Sequence, residues 1–164
     1  MNEWSPSVIQ SLERGISALL ARKPDEECEF ILQFEEHHPD YSSAILAWVL
    51  GHNSSYVGTR IWAATRLYER DPHQVESLTR TLLFSADPDD RDTAISSLIE
   101  LPQLPFVEDT RLILKDEYQY LQILAAEYFV LHSRGHEVSE LVEALCRSSK
   151  DQIRQQALLL RERI

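Results

Sequence analysis

The sequence is poor in glycine, proline and cysteine, and it contains no long apolar run. Of its 164 residues, four are glycine and seven are proline, which is fewer than an average protein contains. Sandwiches and barrels need many tight turns, so this composition disfavours both. The longest apolar run covers the seven residues 44–50, whereas a membrane helix needs about 20. We therefore expect no membrane-spanning segment and no membrane partner.

The sequence also lacks a targeting signal of the secretory kind. No basic start followed by an apolar stretch is found at the N-terminus, so we expect no signal peptide. The two cysteines, Cys28 and Cys146, lie 118 positions apart within apolar-periodic segments. Two buried thiols in a reducing compartment are the simplest interpretation, although a disulfide or a reactive thiol remains open. We expect a cytoplasmic protein.

Positive charge is scarce. Sixteen Lys and Arg residues stand against 27 Asp and Glu, which gives a formal net charge of −11. Binding of DNA or RNA requires clustered positive charge, so we expect no nucleic-acid partner. A hydrophobic fraction of 43% nevertheless favours a folded chain over a disordered one, and the length is that of one domain.

The hydrophobic pattern predicts an all-α protein. Apolar residues recur every three or four positions between prolines, and no useful segment alternates strictly, so no strand is expected. Several prolines follow residues that favour the N-cap position of a helix, namely Ser5, Asp71 and Asp87. Ten helices are predicted, at 6–22, 25–37, 41–52, 55–70, 74–86, 88–101, 104–115, 117–133, 137–148 and 151–163.

An internal repeat is the most informative feature of the sequence. The pattern Arg-x-x-Ala-x-x-x-apolar begins at Arg60 and Arg91, returns with Gln at Gln122, and occurs in a slipped form at Arg154. The alanines of the four copies are spaced by 31, 31 and 32 residues: Ala63, Ala94, Ala125 and Ala157. Each copy is predicted to be one antiparallel helix pair, in which the small alanine lets the helices approach closely.

The last copy carries a resemblance to a known family. Its segment Asp151-x-Ile153-Arg154-x-x-Ala157 resembles the second helix of HEAT repeats, although Thr59 and Asp90 replace the aliphatic residue in earlier copies. The resemblance implies a right-handed α-solenoid of about five antiparallel helix pairs, with the second helices lining a concave face. Residues 1–164 would form a single domain, with four repeats over 41–164 and a degenerate N-terminal capping pair over 1–40.

The repeat register predicts which residues would form a contact surface on that concave face. The exposed rows of the second helices would carry Trp62, Arg66, Asp89, Tyr120 and Tyr128. Trp, Tyr and Arg are the residues most often found as interface anchors. The alternative is that the aromatic side chains fill the core between repeats.

A second candidate surface is the acidic N-terminal end. Residues 25–40 contain seven acids and no Lys or Arg, whereas residues 147–163 have a balance of +3. An acidic surface that includes Glu35 and Glu36 would attract a basic partner. A solvated cap that only keeps the chain soluble is the alternative.

Catalytic and metal-binding patterns are missing from the sequence. It has no Gly-x-Ser-x-Gly and no glycine-rich phosphate loop. His37 and His38 are adjacent, so on a helix they point about 100° apart. Residues 87–98 lack the Gly and Glu of a calcium loop. Deoxyhypusine hydroxylase, a HEAT-like enzyme, needs several His-Glu pairs, and only His136-Glu137 is present. We therefore predict no metal, no cofactor and no enzymatic activity.

These observations predict a non-catalytic binding module that holds a protein partner. A bacterial immunity protein that neutralises a basic toxin fits the small size, the acidity and the lack of catalytic motifs. One alternative is an enzyme or enzyme accessory similar to the HEAT-like phycobilin lyases. Another is a scaffold within a larger assembly.

Overall fold

A computed structural model describes residues 6–20, 26–52 and 55–164, and in these residues the protein is all-helical, as predicted. Short 3-10 helices lie at Pro39–Tyr41, Ile113–Lys115 and Gly135–Glu137. The α-helices are α1 Pro6–Leu20, α2 Glu27–His37, α3 Ser42–Gly51, α4 Val57–Tyr68, α5 Pro72–Leu83, α6 Pro88–Glu100, α7 Val107–Thr110, α8 Gln119–Leu131, α9 Ser139–Leu145 and α10 Asp151–Arg161.

The predicted caps agree with the observed hydrogen bonds where the structure describes them. The carboxylate of Asp87 accepts from the backbone N–H of Asp89 at 2.9 Å, and that of Asp71 accepts from Gln74 at 3.0 Å. The predicted cap Ser5, the predicted helix end at 21–22 and the predicted helix start at 25 lie outside the described residues.

The seventh predicted helix, 104–115, is wrong as a single element. The chain forms only the one-turn α7 and the 3-10 helix Ile113–Lys115 there. Between them, the N–H groups of Arg111 and Leu112 bond to carbonyls three residues back, on Glu108 and Asp109. Consecutive tight turns bury apolar residues at nearly the same spacing as one α-helix, so the hydrophobic pattern does not distinguish the two.

The chain folds as two compact units, Met1–Leu78 and Thr79–Ile164, which we call unit 1 and unit 2. In unit 1, α1 packs on α2, α3 packs closely on α4, and α2 contacts both α3 and α4. The core of unit 1 includes Leu12, Ile16, Ile31, Ile45, Leu46, Leu50, Ala63 and Leu67.

Two charged side chains of unit 1, Glu27 and Arg60, are fully buried. Glu27 is fully buried, and its carboxylate accepts from the Thr59 hydroxyl at 2.8 Å and from the N–H of Tyr56 at 3.2 Å. It thereby supplies the start of α4 with an acceptor that its own N-cap residue lacks. Arg60 is also fully buried, and its Nε donates to the carbonyl of Leu50 at 3.0 Å.

In unit 2 the second helices of the predicted pairs are neighbours. Helix α8 contacts both α6 and α10, and α9 packs on α10 and α8. Across both units, the four repeat alanines, Ala63, Ala94, Ala125 and Ala157, are all fully buried. In the first three copies the side chain four positions later is buried as well: Leu67, Leu98 and Phe129. In the slipped fourth copy the buried side chain is Leu160, three positions after Ala157. The pattern therefore marks the buried face of each second helix.

In unit 2 the repeated Arg or Gln side chain makes the same hydrogen bond in each copy. It donates to the backbone carbonyl of the residue six positions earlier, in the turn before the helix. Arg91 donates to the carbonyl of Ser85 at 3.0 Å, Gln122 to that of Asp116 at 2.6 Å, and Arg154 to that of Ser148 at 3.1 Å. A side-chain amide makes the same bond as a guanidinium, which explains why Gln replaces Arg in one copy.

The same three turn residues also cap the chain that follows them. The side chains of Ser85, Asp116 and Ser148 each accept from the backbone N–H two residues later, at 3.2, 3.0 and 3.2 Å. Such bonds are the usual way in which Ser and Asp stabilise a turn. The helices α6, α8 and α10 thus all follow one type of turn. The equivalent position in the preceding pair, 54, lies outside the described residues.

Candidate protein-binding surfaces

Unit 1 contains a groove of about 910 Å³, which we call the acidic groove. It runs along the end of α2, the 3-10 turn, the start of α3 and the end of α4. Its lining residues are Leu32, Glu35, Glu36, Pro39, Asp40, Tyr41, Ser42, Ser43, Ala44, Arg66, Arg70 and Gln74.

A buried carboxylate forms the floor of the acidic groove. The side chain of Glu35 is 7% exposed, and its Oε1 accepts from Nη1 of Arg70 at 2.8 Å. The Ser42 hydroxyl donates to the same oxygen and accepts from Arg70. Oε2 of Glu35 lies 3.7 Å from Nη2 of Arg66, whose guanidinium in turn lies 5.2 Å from the ring centre of Trp62. The Glu35 carboxylate thus lies within ion-pair distance of two arginine side chains.

The expectation that Glu35 belongs to an exposed acidic surface is therefore wrong. Residues four apart share one face of a helix, and Glu27, Ile31 and Glu35 form the buried face of α2. Glu35 is turned inward, and both arginines that its carboxylate contacts belong to the same unit.

Glu36 and Asp40 lie at the edge of the acidic groove and are exposed. Neither carboxylate forms an ion pair or a hydrogen bond with the part of the chain that the structure describes. Arg66 and Arg70 face Glu35, and the exposed carboxylates of Glu36 and Asp40 bring the sum of these two positive and three negative charges to −1.

Two polar atoms in the floor of the groove are buried and have no hydrogen bond: Oε2 of Glu35 and Nε of Arg66. A buried polar atom without a partner costs about 1–3 kcal/mol. Their proximity offsets part of that cost through charge attraction, since the Arg66 guanidinium and the carboxylate lie within ion-pair distance.

Unit 2 presents part of the predicted concave row on its surface. Asp89 and Gln152 are exposed and Tyr120 is partly exposed. A pocket of about 370 Å³ lies beside Tyr120, and we call it the Tyr120 pocket. Its lining residues come from α8, α10 and the residue before α10: Tyr120, Leu124, Lys150, Gln152, Ile153 and Gln156.

The phenol of Tyr120 remains neutral over a wide pH range. Burial raises its pKa above the ordinary value of 10, and the nearby carboxylates of Asp92 and Asp89 raise it further. Asp92 is itself partly buried, which raises the pKa of its carboxyl, while a 2.9 Å bond from the Ser96 hydroxyl opposes that shift. The Tyr120 hydroxyl is consequently a neutral hydrogen-bonding group at physiological pH.

The expectation that Tyr128 lies on a contact surface is wrong. Its side chain is fully buried; its hydroxyl donates to the carbonyl of Leu104 and accepts from the N–H of Phe106 at 3.4 Å. Burial also raises the pKa of Tyr128. Ser97 and Leu160, its repeat equivalents, are buried too, so this row belongs to the core in unit 2 and the alternative interpretation holds for it.

The predicted site residues fall into separate groups. Unit 1 brings Glu35, Arg66 and Trp62 together, with Glu36 on the adjacent edge. Unit 2 brings Asp89 within electrostatic reach of Tyr120. Sequence reasoning missed Arg70 and Ser42, because Arg70 reaches Glu35 across 35 positions of the chain. The four-residue spacing of Arg66 and Arg70 on one helical face was the available signal.

None of the described residues form a group of three or more His, Cys, Asp or Glu side chains that is arranged to hold a metal ion. In the same residues, every helix is too short or too polar to cross a bilayer. Comparison with protein-family models, curated proteins and solved structures finds no match.

Proposed function

We propose that this protein is a non-catalytic binding module that captures a basic partner protein, as a bacterial immunity protein captures a toxin. The observation that carries the proposal is the charge arrangement of the acidic groove. Both of its arginines face Glu35, whereas Glu36 and Asp40 are exposed at its edge and form no ion pair with any described residue. An incoming Lys or Arg could therefore pair with these two carboxylates.

The groove also offers the apolar contact that a stable interface needs. Leu32, which lines it, is 37% exposed although it is a large hydrophobic residue. Pro39 and Tyr41 line the same groove. Apolar contact supplies affinity, while the formal net charge of −11 steers a basic partner during encounter.

Within this proposal, the helix pairs form a right-handed α-solenoid of about five pairs, and the second helices line its concave face. The buried repeat alanines and the shared turn of unit 2 support equivalent pairs, as stacked repeats require. We place the protein in the cytoplasm, where a reducing environment suits its two free thiols, Cys28 and Cys146.

The test is co-expression and purification of the tagged protein with the basic product of the neighbouring gene. We expect the two proteins to co-purify and to dissociate at high salt, because exposed charges are screened. Failure to bind any adjacent basic product would contradict the proposal.

A charge-reversal variant locates the binding surface. The double variant Glu36→Lys and Asp40→Lys should weaken binding by at least about tenfold, since like charges then face each other. Glu140→Lys with Glu162→Lys is the matched control, because it changes the net charge equally at exposed positions of unit 2. Equal effects of the two double variants would show that only net charge matters and that the groove is not the site.

A further inference from the structure

The Tyr120 pocket has a chemistry different from that of the acidic groove. Leu124 and Ile153 contribute apolar surface to it, and Ile153 is only 5% exposed. Tyr120, Gln152 and Gln156 surround this surface with neutral polar groups. Pockets with an apolar floor and a few polar groups at the edge are typical sites for anchoring side chains.

Three polar side chains at the edge of this pocket have no partner within the described part of the chain. The side-chain amides of Gln152 and Gln156 and the ammonium of Lys150 form no hydrogen bond or ion pair with any described residue. The acid directly after Lys150 in the chain, Asp151, pairs with Arg154 instead. Each amide can therefore both donate to and accept from a ligand's backbone.

The charges around the Tyr120 pocket determine at which side a charged group of a ligand can lie. Lys150 precedes the first turn of α10, so its ammonium and the positive end of the helix dipole both favour an anion at that side. Asp89 and Asp92 act on Tyr120 and disfavour an anion at the other side. A ligand carboxylate would therefore lie at the Lys150 side, and an uncharged group beside Tyr120.

We infer that the Tyr120 pocket binds a protein segment in which an aromatic or large aliphatic side chain is adjacent to a carboxylate. The apolar side chain packs between Leu124 and Ile153, and the carboxylate pairs with Lys150. The amides of Gln152 and Gln156 bond the segment's backbone. This inference goes beyond the proposed function, because it concerns unit 2 and the opposite ligand charge.

The experiment is a titration of the full-length chain with capped tetrapeptides, followed by NMR of the side-chain amides. The probe is acetyl-Gly-Phe-Glu-Gly-amide, with Phe-Lys and Ala-Glu versions as comparisons. We expect a Kd of about 1 mM for the Phe-Glu peptide, which is reasonable for so small a ligand. The amide signals of Gln152 and Gln156 should shift, and both comparison peptides should bind at least about fivefold more weakly.

Lys150→Glu should reverse the preference between the Phe-Glu and Phe-Lys peptides. Lys115→Glu is the matched control, since Lys115 is an exposed lysine of unit 2 outside the pocket, and it should leave the preference unchanged. The inference is overturned if both charge forms bind equally, or if the shifts fall away from the pocket. Shifts of the same amides on concentrating the protein alone would overturn it too, because the occupant would then be a second copy.

The double variant of the acidic groove tests the Tyr120 pocket independently of the proposed function. Glu36→Lys with Asp40→Lys should leave peptide binding unchanged, since neither residue lines the Tyr120 pocket. Loss of peptide binding in Lys150→Glu alone would support the pocket whether or not the basic partner is found.

Discussion

At the scale of single residues, a buried ion pair stabilises unit 2. Arg91 makes a two-bond contact with Asp116, Nε to Oδ2 at 2.7 Å and Nη2 to Oδ1 at 3.2 Å. The two side chains are only 11% and 7% exposed. Arg91 also bonds the turn before its own helix, α6, while Asp116 caps the turn before α8. One side-chain pair thus connects these two turns.

Asp116→Asn should destabilise unit 2 by about 3 kcal/mol, because it leaves the buried guanidinium of Arg91 without its counter-charge. Asparagine retains an oxygen for the Tyr118 N–H, so the turn itself is spared. Urea unfolding measures the change. The control is Asp151→Asn, which removes an ion-pair partner that is 79% exposed and should cost less than about 1 kcal/mol. Equal losses for the two variants would show that the Arg91–Asp116 pair contributes little.

A second charged cluster in unit 2 makes the stability of the folded state depend on pH. Hydrogen bonds from Arg134 and Arg111 lower the pKa of Glu137 from 4.5 to about 2. A carboxyl with a lowered pKa in the folded state adds stability above its unfolded value, near 4.5, and loses it as the pH falls towards 2. The stability difference between wild type and Glu137→Gln should therefore shrink from pH 6 to pH 2. A difference that is constant over this range would contradict the assignment.

At the scale of elements, the repeat pattern predicts which helix face is buried, and the structure agrees at every repeat alanine. Glu35 and Tyr128 show the limit of such reasoning. Polar residues on an apolar face are buried when distant partners satisfy them, and those partners, Arg70 for Glu35 and Leu104 for Tyr128, lie 35 and 24 positions away. Local periodicity carries no information on such pairings.

The repeat alanines should not tolerate larger side chains. Ala94→Leu inserts three carbon atoms at a fully buried position, so we expect a loss of about 1–3 kcal/mol from overpacking. Ala144→Leu is the matched control on the exposed side of α9, and it should change stability by no more than about 0.5 kcal/mol. Thermal and urea unfolding of both variants measure the effect. Full tolerance of leucine at position 94 would show that close helix approach is not needed there.

At the scale of the whole molecule, acidic charge is in excess, and the positions of individual charges matter more than the total. Sequence composition predicts the balance of −11 and hence a basic partner. It does not predict that Arg66 and Arg70 contact Glu35, while Glu36 and Asp40 form no ion pair with the described part of the chain. The mean charge of a segment and the charge that a partner meets are different quantities once ion pairs form.

The association rate with the basic partner, measured by stopped flow from low to physiological salt, tests the central claim most directly. Unpaired acids at the groove edge should give a rate that falls steeply as salt rises. Glu36→Lys with Asp40→Lys should lower the low-salt rate by at least about tenfold, and the Glu140→Lys, Glu162→Lys control should lower it much less. A rate that is independent of salt, or equal in the two double variants, would contradict capture by the acidic groove.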